Sequence, residues 1–185
     1  MSTQLPIATL GTEILRKKAK PLNDISGETV ELVTDMFYTM RNADGIGLAA
    51  PQVNKDLDII TIDISMNKDF EDEKPLILIN PEIKEVYGEV LMGEGCLSIP
   101  DVHSDVLRPE KIFVKYYDLN MKEYAREYDG LWARVIQHEI DHLHGKLFID
   151  YLPKEELNDF KDILKKIRAK KIDTSYPIYN AKTQR

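Results

Sequence analysis

The stretch from Asp129 to Gly145 limits what this chain can fold into more than any other. At about 100° per residue on a helix, Leu131, Val135, His138 and His142 fall on one stripe. Trp132, Ile136, Ile140 and Leu143 carry apolar character around most of the remaining circumference, and Arg134, Gln137, Asp141 and His144 form a narrow polar strip. A helix apolar on nearly every side is a buried one. The pattern therefore predicts a central helix from Gly130 to His144, with Asp129 as N-cap and Gly145 as its stop.

That helix also carries chemistry. His138 and His142 stand at i and i+4, one turn apart on one face, so both imidazoles can reach a single metal ion. Glu139 is rotated off that face, where it can act on a water instead of binding the metal. A His-x₃-His pair on a surface helix would have no such meaning, but buried imidazoles need partners, and a metal supplies them for both.

The rest of the chain must be built around this element. Ser26 is placed to cap a first helix whose apolar stripe is Val30, Val33, Phe37 and Met40, ending in the turn formers Asn42 to Gly45. Strand patterns follow at Leu57–Ile64, with Ile60, Ile62 and Ile64 on one face, at Pro75–Ile79 with extended sequence to Val90, and at Arg108–Tyr117. Asp118 to Met121 reads as a hairpin turn into Lys122–Tyr128. A last helix starts at Pro153, with Leu157, Phe160, Leu164 and Ile167 as its inner stripe. Strands in succession without intervening helices predict antiparallel or mixed sheets. The expected class is α+β: sheets packed around a central buried helix, with an N-terminal and a C-terminal helix. The 185 residues suit one domain, 1–185, with a loose tail from 172.

Composition excludes several roles. With 25 basic against 32 acidic residues the net charge is −7, which argues against a direct nucleic-acid function. No apolar run is long enough to span a membrane, and Met1 to Leu10 lacks the pattern of a secretory signal. A single cysteine, Cys96, fits a reducing, cytoplasmic setting.

A catalytic metal centre keeps three protein ligands and one open position. The best third ligand beside the two histidines is Cys96, in Gly93-Glu94-Gly95-Cys96-Leu97-Ser98-Ile99-Pro100, where two glycines permit a tight backbone path; alone, a sole cysteine is more often an inert small core residue, and the buried histidine helix reverses that reading. The Gly45-Ile-Gly-Leu-Ala-Ala-Pro-Gln52 stretch matches Gly-x-Gly-x-x-Ala but follows a helical pattern and runs into Pro51, so it is not a dinucleotide fingerprint. It reads as a glycine-rich edge that a substrate backbone can approach, with Gln52 projecting from it.

Taken together, Gly45–Gln52, Glu94-Gly-Cys-Leu-Ser98 and His138-Glu-Ile-Asp-His142 resemble the three signature motifs of the peptide deformylases, in the family's order and at similar spacing. The resemblance implies a metal-dependent hydrolase that removes the formyl group from the N-terminal formyl-methionine of new polypeptides. It implies that Cys96, His138 and His142 bind the metal, that Glu139 is the general acid/base, that Gln52 and the Leu97 N–H face the developing oxyanion, and that Gly47 lies near the reacting carbonyl. It implies Fe²⁺ in the cell, although one thiolate and two imidazoles also suit Zn²⁺ or Ni²⁺. Helix geometry adds Leu131 and Val135 as walls for the methionine side chain, and Ile46 and Met92, which flank the motifs, are further walls. Glu94 is expected to anchor its loop, and Asp141 to pair with Arg134. The basic end of the last helix is a candidate contact for the ribosome. His103 stands where many relatives have Arg, and Arg134 where many are apolar. Two rival readings are a zinc metallopeptidase, whose third ligand would lie downstream of the helix, and a non-catalytic module stabilised by metal.

Overall fold

The computed structural model describes residues 2–180. Among these are four α-helices and seven strands in two antiparallel sheets. Helix α1 (Gly27–Asn42) begins where Ser26 accepts a hydrogen bond from the Thr29 N–H. Its buried face is Thr29, Val33, Met36, Thr39 and Met40; Val30 is exposed, so the stripe is rotated from the expected one.

The larger sheet has the order β1-β2-β3-β6-β7. Strand β1 (Gly47–Ala49) is its edge, followed by β2 (Ile59–Ile62), the long β3 (Leu76–Tyr87), β6 (Lys111–Tyr117) and β7 (Glu123–Asp129). Every residue of β2 is buried, because helices cover both faces of the sheet. Ile60 and Ile62 pack with Val135, Ile136 and Ile140 of α2 (Gly130–Leu143), and Ile59 packs with Met36 and Met40 of α1. The predicted alternation was half of the pattern: Ile59 and Thr61, on the other face, are buried as well. Register shifts near Asn80–Pro81 accommodate a residue that cannot donate to the ladder.

Helix α2 begins after Asp129, whose side chain makes no capping bond, and stops before Gly145, which adopts the left-handed φ of 71°. Half of its polar strip is not solvated: Arg134 and Gln137 are buried, Asp141 is half-buried and only His144 is exposed.

The second sheet, β4 (Val90–Cys96) with β5 (Ile99–Arg108), is a hairpin closed by Leu97 and Ser98. Val102 and Val106 on its inner face meet Phe148, Leu164 and Ile167. The last helix is broken at Phe160 into α3 (Lys154–Asp159) and α4 (Lys161–Arg168), with the expected apolar stripe kept on both pieces. The tail expected to be loose from residue 172 is docked over Tyr176 to Tyr179: Ile7 donates to the Pro177 carbonyl at 2.8 Å, and Tyr179 donates back to Ile7 at 2.7 Å. Residues 181–185 of that tail lie outside the described residues.

Candidate metal centre and active site

Three elements converge on one cavity of about 420 Å³: the β1 edge, the β4–β5 hairpin and α2. The buried helix presents His138 and His142 inward, and the hairpin ends so that Cys96 meets them. The donor atoms of Cys96, His138 and His142 all lie within 4.8 Å of one another, and Cys96 Sγ is 3.2 Å from His142 Nε2.

Surrounding groups fit this set to a metal. His138 Nδ1 sits 2.8 Å from Glu94 Oε2, so its Nε2 is left for a ligand bond, the arrangement in which a carboxylate orients a metal-binding imidazole. His142 is wholly buried, its Nδ1 has no partner, and burial holds it well below the ordinary histidine value. Burial opposes charge on His138 too, but hydrogen bonds with Cys96 and Glu94 outweigh it and push that ring the other way. One soft thiolate and two imidazoles suit a divalent transition metal.

Glu94 does more than anchor a loop. Arg108 Nε donates to its Oε1 at 2.5 Å and Nη2 to its Oε2 at 3.0 Å, while Arg134 Nη1 adds a bond to Oε1 at 2.6 Å. Burial penalises the Glu94 charge, but His138 and Arg108 outweigh it and hold the carboxyl well below the usual range. The expected Asp141–Arg134 pair does not form; Asp141 takes Arg108 Nη1 at 2.6 Å, and Arg134 reaches Glu94 and the Val106 and Val90 carbonyls. Arg134 projects toward the hairpin and Asp141 toward Tyr151, so Glu94 takes both arginines and shares Arg108 with Asp141.

Glu139 is buried with Oε2 unpartnered. Burial, with Glu94 adding to it against the pull of His138, pushes it up to about 7. Gly47 lies directly against it: a Cβ there would overlap Glu139 Oε1 and Val135. Gln52 is fixed by its Oε1, which accepts from the Ala49 N–H at 2.8 Å, so its Nε2 points at Cys96 Sγ, 3.6 Å away, and Ser98 Oγ, 3.3 Å away. Ile46, Leu131 and Val135 line the cavity. Met92 does not; it lies opposite Val106, short of the point on β4 where the cavity wall begins at Gly93. His103 and Arg134 both line it.

Sequence reasoning missed Arg108 and Tyr176. The alternation of Val102, Val106 and Arg108 with exposed neighbours was a readable strand signal; nothing local marked Tyr176, which lines the cavity from the far end of the chain.

The fold and site define an α+β protein in which a cysteine and two histidines are grouped so that they could hold a metal, with a buried carboxylate beside them and a cavity lined in part by apolar side chains. The chain belongs to the peptide deformylase family: residues 4–158 match the family model described as polypeptide deformylase. It is 46% identical over 174 residues to the peptide deformylase of Chlorobium luteolum (94% of this chain, 92% of the relative), and 48% identical over 177 residues to that of Chlorobium phaeovibrioides (96% and 93%). Its backbone is similar to a crystal structure of a peptide deformylase from Legionella pneumophila, with TM-score 0.83 and 39% identity over 90% of this chain and 96% of that one. A peptide deformylase from Synechococcus elongatus in complex with actinonin matches with TM-score 0.82 and 44% identity, covering 88% and 89%. The protein is thus a hydrolase of protein biosynthesis that removes the N-terminal formyl group of newly made polypeptides.

Proposed function

We propose that Cys96, His138 and His142 hold the metal ion and that Glu139 moves the proton in hydrolysis of the formyl-methionine amide. The observation that carries this is the meeting of those three donor atoms, from two elements far apart in sequence, beside the unpartnered oxygen of Glu139. Bound there, the metal supplies a Lewis acid for the formyl carbonyl and for water. Glu139 takes a proton from the attacking water and returns it to the leaving amine. Gln52 Nε2 and the Leu97 N–H donate to the oxygen on which negative charge develops. Gly47, lacking a side chain, lets the reacting carbonyl come close to Glu139. Leu131, Val135 and Ile46 hold the methionine side chain.

The metal in the cell is Fe²⁺ on this reading, with Zn²⁺ and Ni²⁺ as ions the same donors accept. The chain works in the cytoplasm as one domain; no helix of the described residues is long and apolar enough to cross a membrane. Any ribosome contact falls to Lys165, Lys166, Arg168 and Lys171, since Lys170 is tied to Thr9 and Thr12.

The test is anaerobic purification, metal analysis and formate release from formyl-Met-Ala. Expected are one iron per chain and deformylation. Cleavage of internal peptide bonds with formyl-Met-Ala left intact would overturn the reading in favour of a metallopeptidase.

A further inference from the structure

We infer that the segment after the family domain is a working part of the site, with Tyr176 as a positioning residue for the Leu97 backbone donor. Tyr176 lies beyond residues 4–158, yet it lines the same cavity as Cys96 and Leu97 and is only 9% exposed. Its hydroxyl donates to the Leu97 carbonyl at 2.7 Å. Its ring packs with Ile7 and Ala43, in a cluster that also takes in the Leu97 side chain. Leu97 occupies the two-residue turn between Cys96 and Ile99, where no ladder bond restrains it. Holding its carbonyl and side chain fixes the place of its Cα and nitrogen, and with Cys96 held in the ladder on the other side, the direction of its N–H.

The segment itself is anchored. Ile7 is wholly buried and exchanges hydrogen bonds with Pro177 and Tyr179, one on each side of the Ile178 bridge. The next residues of that N-terminal run hold both sides of the oxyanion site: the Ala8 N–H donates to the Gln52 carbonyl at 2.7 Å, and the Leu10 N–H to the Ser98 carbonyl at 2.8 Å. One extended stretch, residues 7–10, therefore ties together the backbone of Gln52, the turn carrying Leu97 and the segment carrying Tyr176. Tyr176 adds a bond that reaches Leu97 itself.

This rests on the reading of the Leu97 N–H as an oxyanion donor, and the test separates the two. Tyr176→Phe keeps the ring and removes the hydroxyl. With formyl-Met-Ala-Ser, kcat should fall about fivefold, the loss of one neutral hydrogen bond, with KM, metal content and Tm close to wild type. Amide hydrogen exchange at Leu97 and Ser98 should quicken in the same variant. Unchanged kcat, or a rise in KM alone, overturns the positioning role, as does a lowered Tm without loss of kcat. Unchanged exchange at Leu97 overturns it even with reduced kcat. If the wild type releases no formate, the proposed function fails, while the exchange measurement still decides whether Tyr176 restrains Leu97.

Discussion

Glu94 and Glu139 are buried carboxylates on either side of His138, and their surroundings are opposite. Glu94 receives two arginines and an imidazole, all within 3.0 Å. Glu139 has an oxygen with no partner, pressed against Gly47 at the cavity wall. Two acids at similar depth are thereby separated into a permanent charge and a group that can gain and lose a proton. The division follows from hydrogen-bond supply, since burial alone acts on both in the same direction.

The sharpest break of that comparison is Glu139→Gln. The amide keeps the shape but cannot accept a proton from water, so turnover should fall by about 10³-fold or more, while metal analysis still finds the ion. Because the substitution removes a poorly solvated acid, Tm should hold or rise. A variant with wild-type turnover would favour a binding module over an enzyme. Cys96→Ala makes the complementary cut: the metal is lost along with activity, as elemental analysis would record.

Glu94→Gln probes the other side. Arg108, with side-chain exposure of only 4%, would keep Asp141 but lose its buried counter-charge, and Arg134 would lose its carboxylate partner. Breaking a buried pair in this way costs about 3–5 kcal/mol, read as a lowered denaturation midpoint. His138 would also lose its orienting acceptor, weakening metal affinity by roughly 10–100-fold. Retained stability with weakened metal binding would assign Glu94 to the metal alone and not to the fold.

The sequence made the proposed metal ligands legible and left their supports hidden, for a physical reason. His138, Glu139 and His142 are related by helix periodicity, a local property, so their shared placement is visible in the order of residues. Glu94, Arg108 and Arg134 meet only because a hairpin folds over α2, and no spacing encodes that. Arg134 illustrates the error: on a helical wheel it belongs to a polar strip and looks solvated, yet it is buried under β4 and β5. The hairpin itself was obscured by Gly93 and Gly95, which have low strand propensity but pair with Asp105 and His103 in an antiparallel ladder whose register shifts only after Gly95. Tyr176 lies in a segment without periodicity, and its burial depends on Ile7 at the opposite end of the chain.

Asp58 supplies the control that sharpens the comparison at the smallest scale. Like Glu139 it has a buried oxygen without a partner, and burial raises it to about 6, with Lys18 pulling it back. Unlike Glu139 it is remote from the cavity, so its raised value is a matter of stability alone. An acid raised on folding binds its proton more tightly in the folded state, so this group favours folding more as pH falls from about 6 toward the ordinary value of 3.8 and penalises it above about 6. Asp58→Asn should therefore raise stability at pH 7.5 by about 1 kcal/mol after allowance for its partial exposure to solvent, and its advantage over wild type should shrink as the pH is lowered through that window. Deformylase activity should not change. The measurement is a urea midpoint series at several pH values for both proteins. A constant difference across the series would mean that Asp58 is no more strained than a surface carboxylate. An advantage that vanishes on acidification would show that an unpartnered acid has a stability cost away from the cavity too, and that at Glu139 the chain tolerates such a cost at the cavity wall, where the proposed function gives the proton its work.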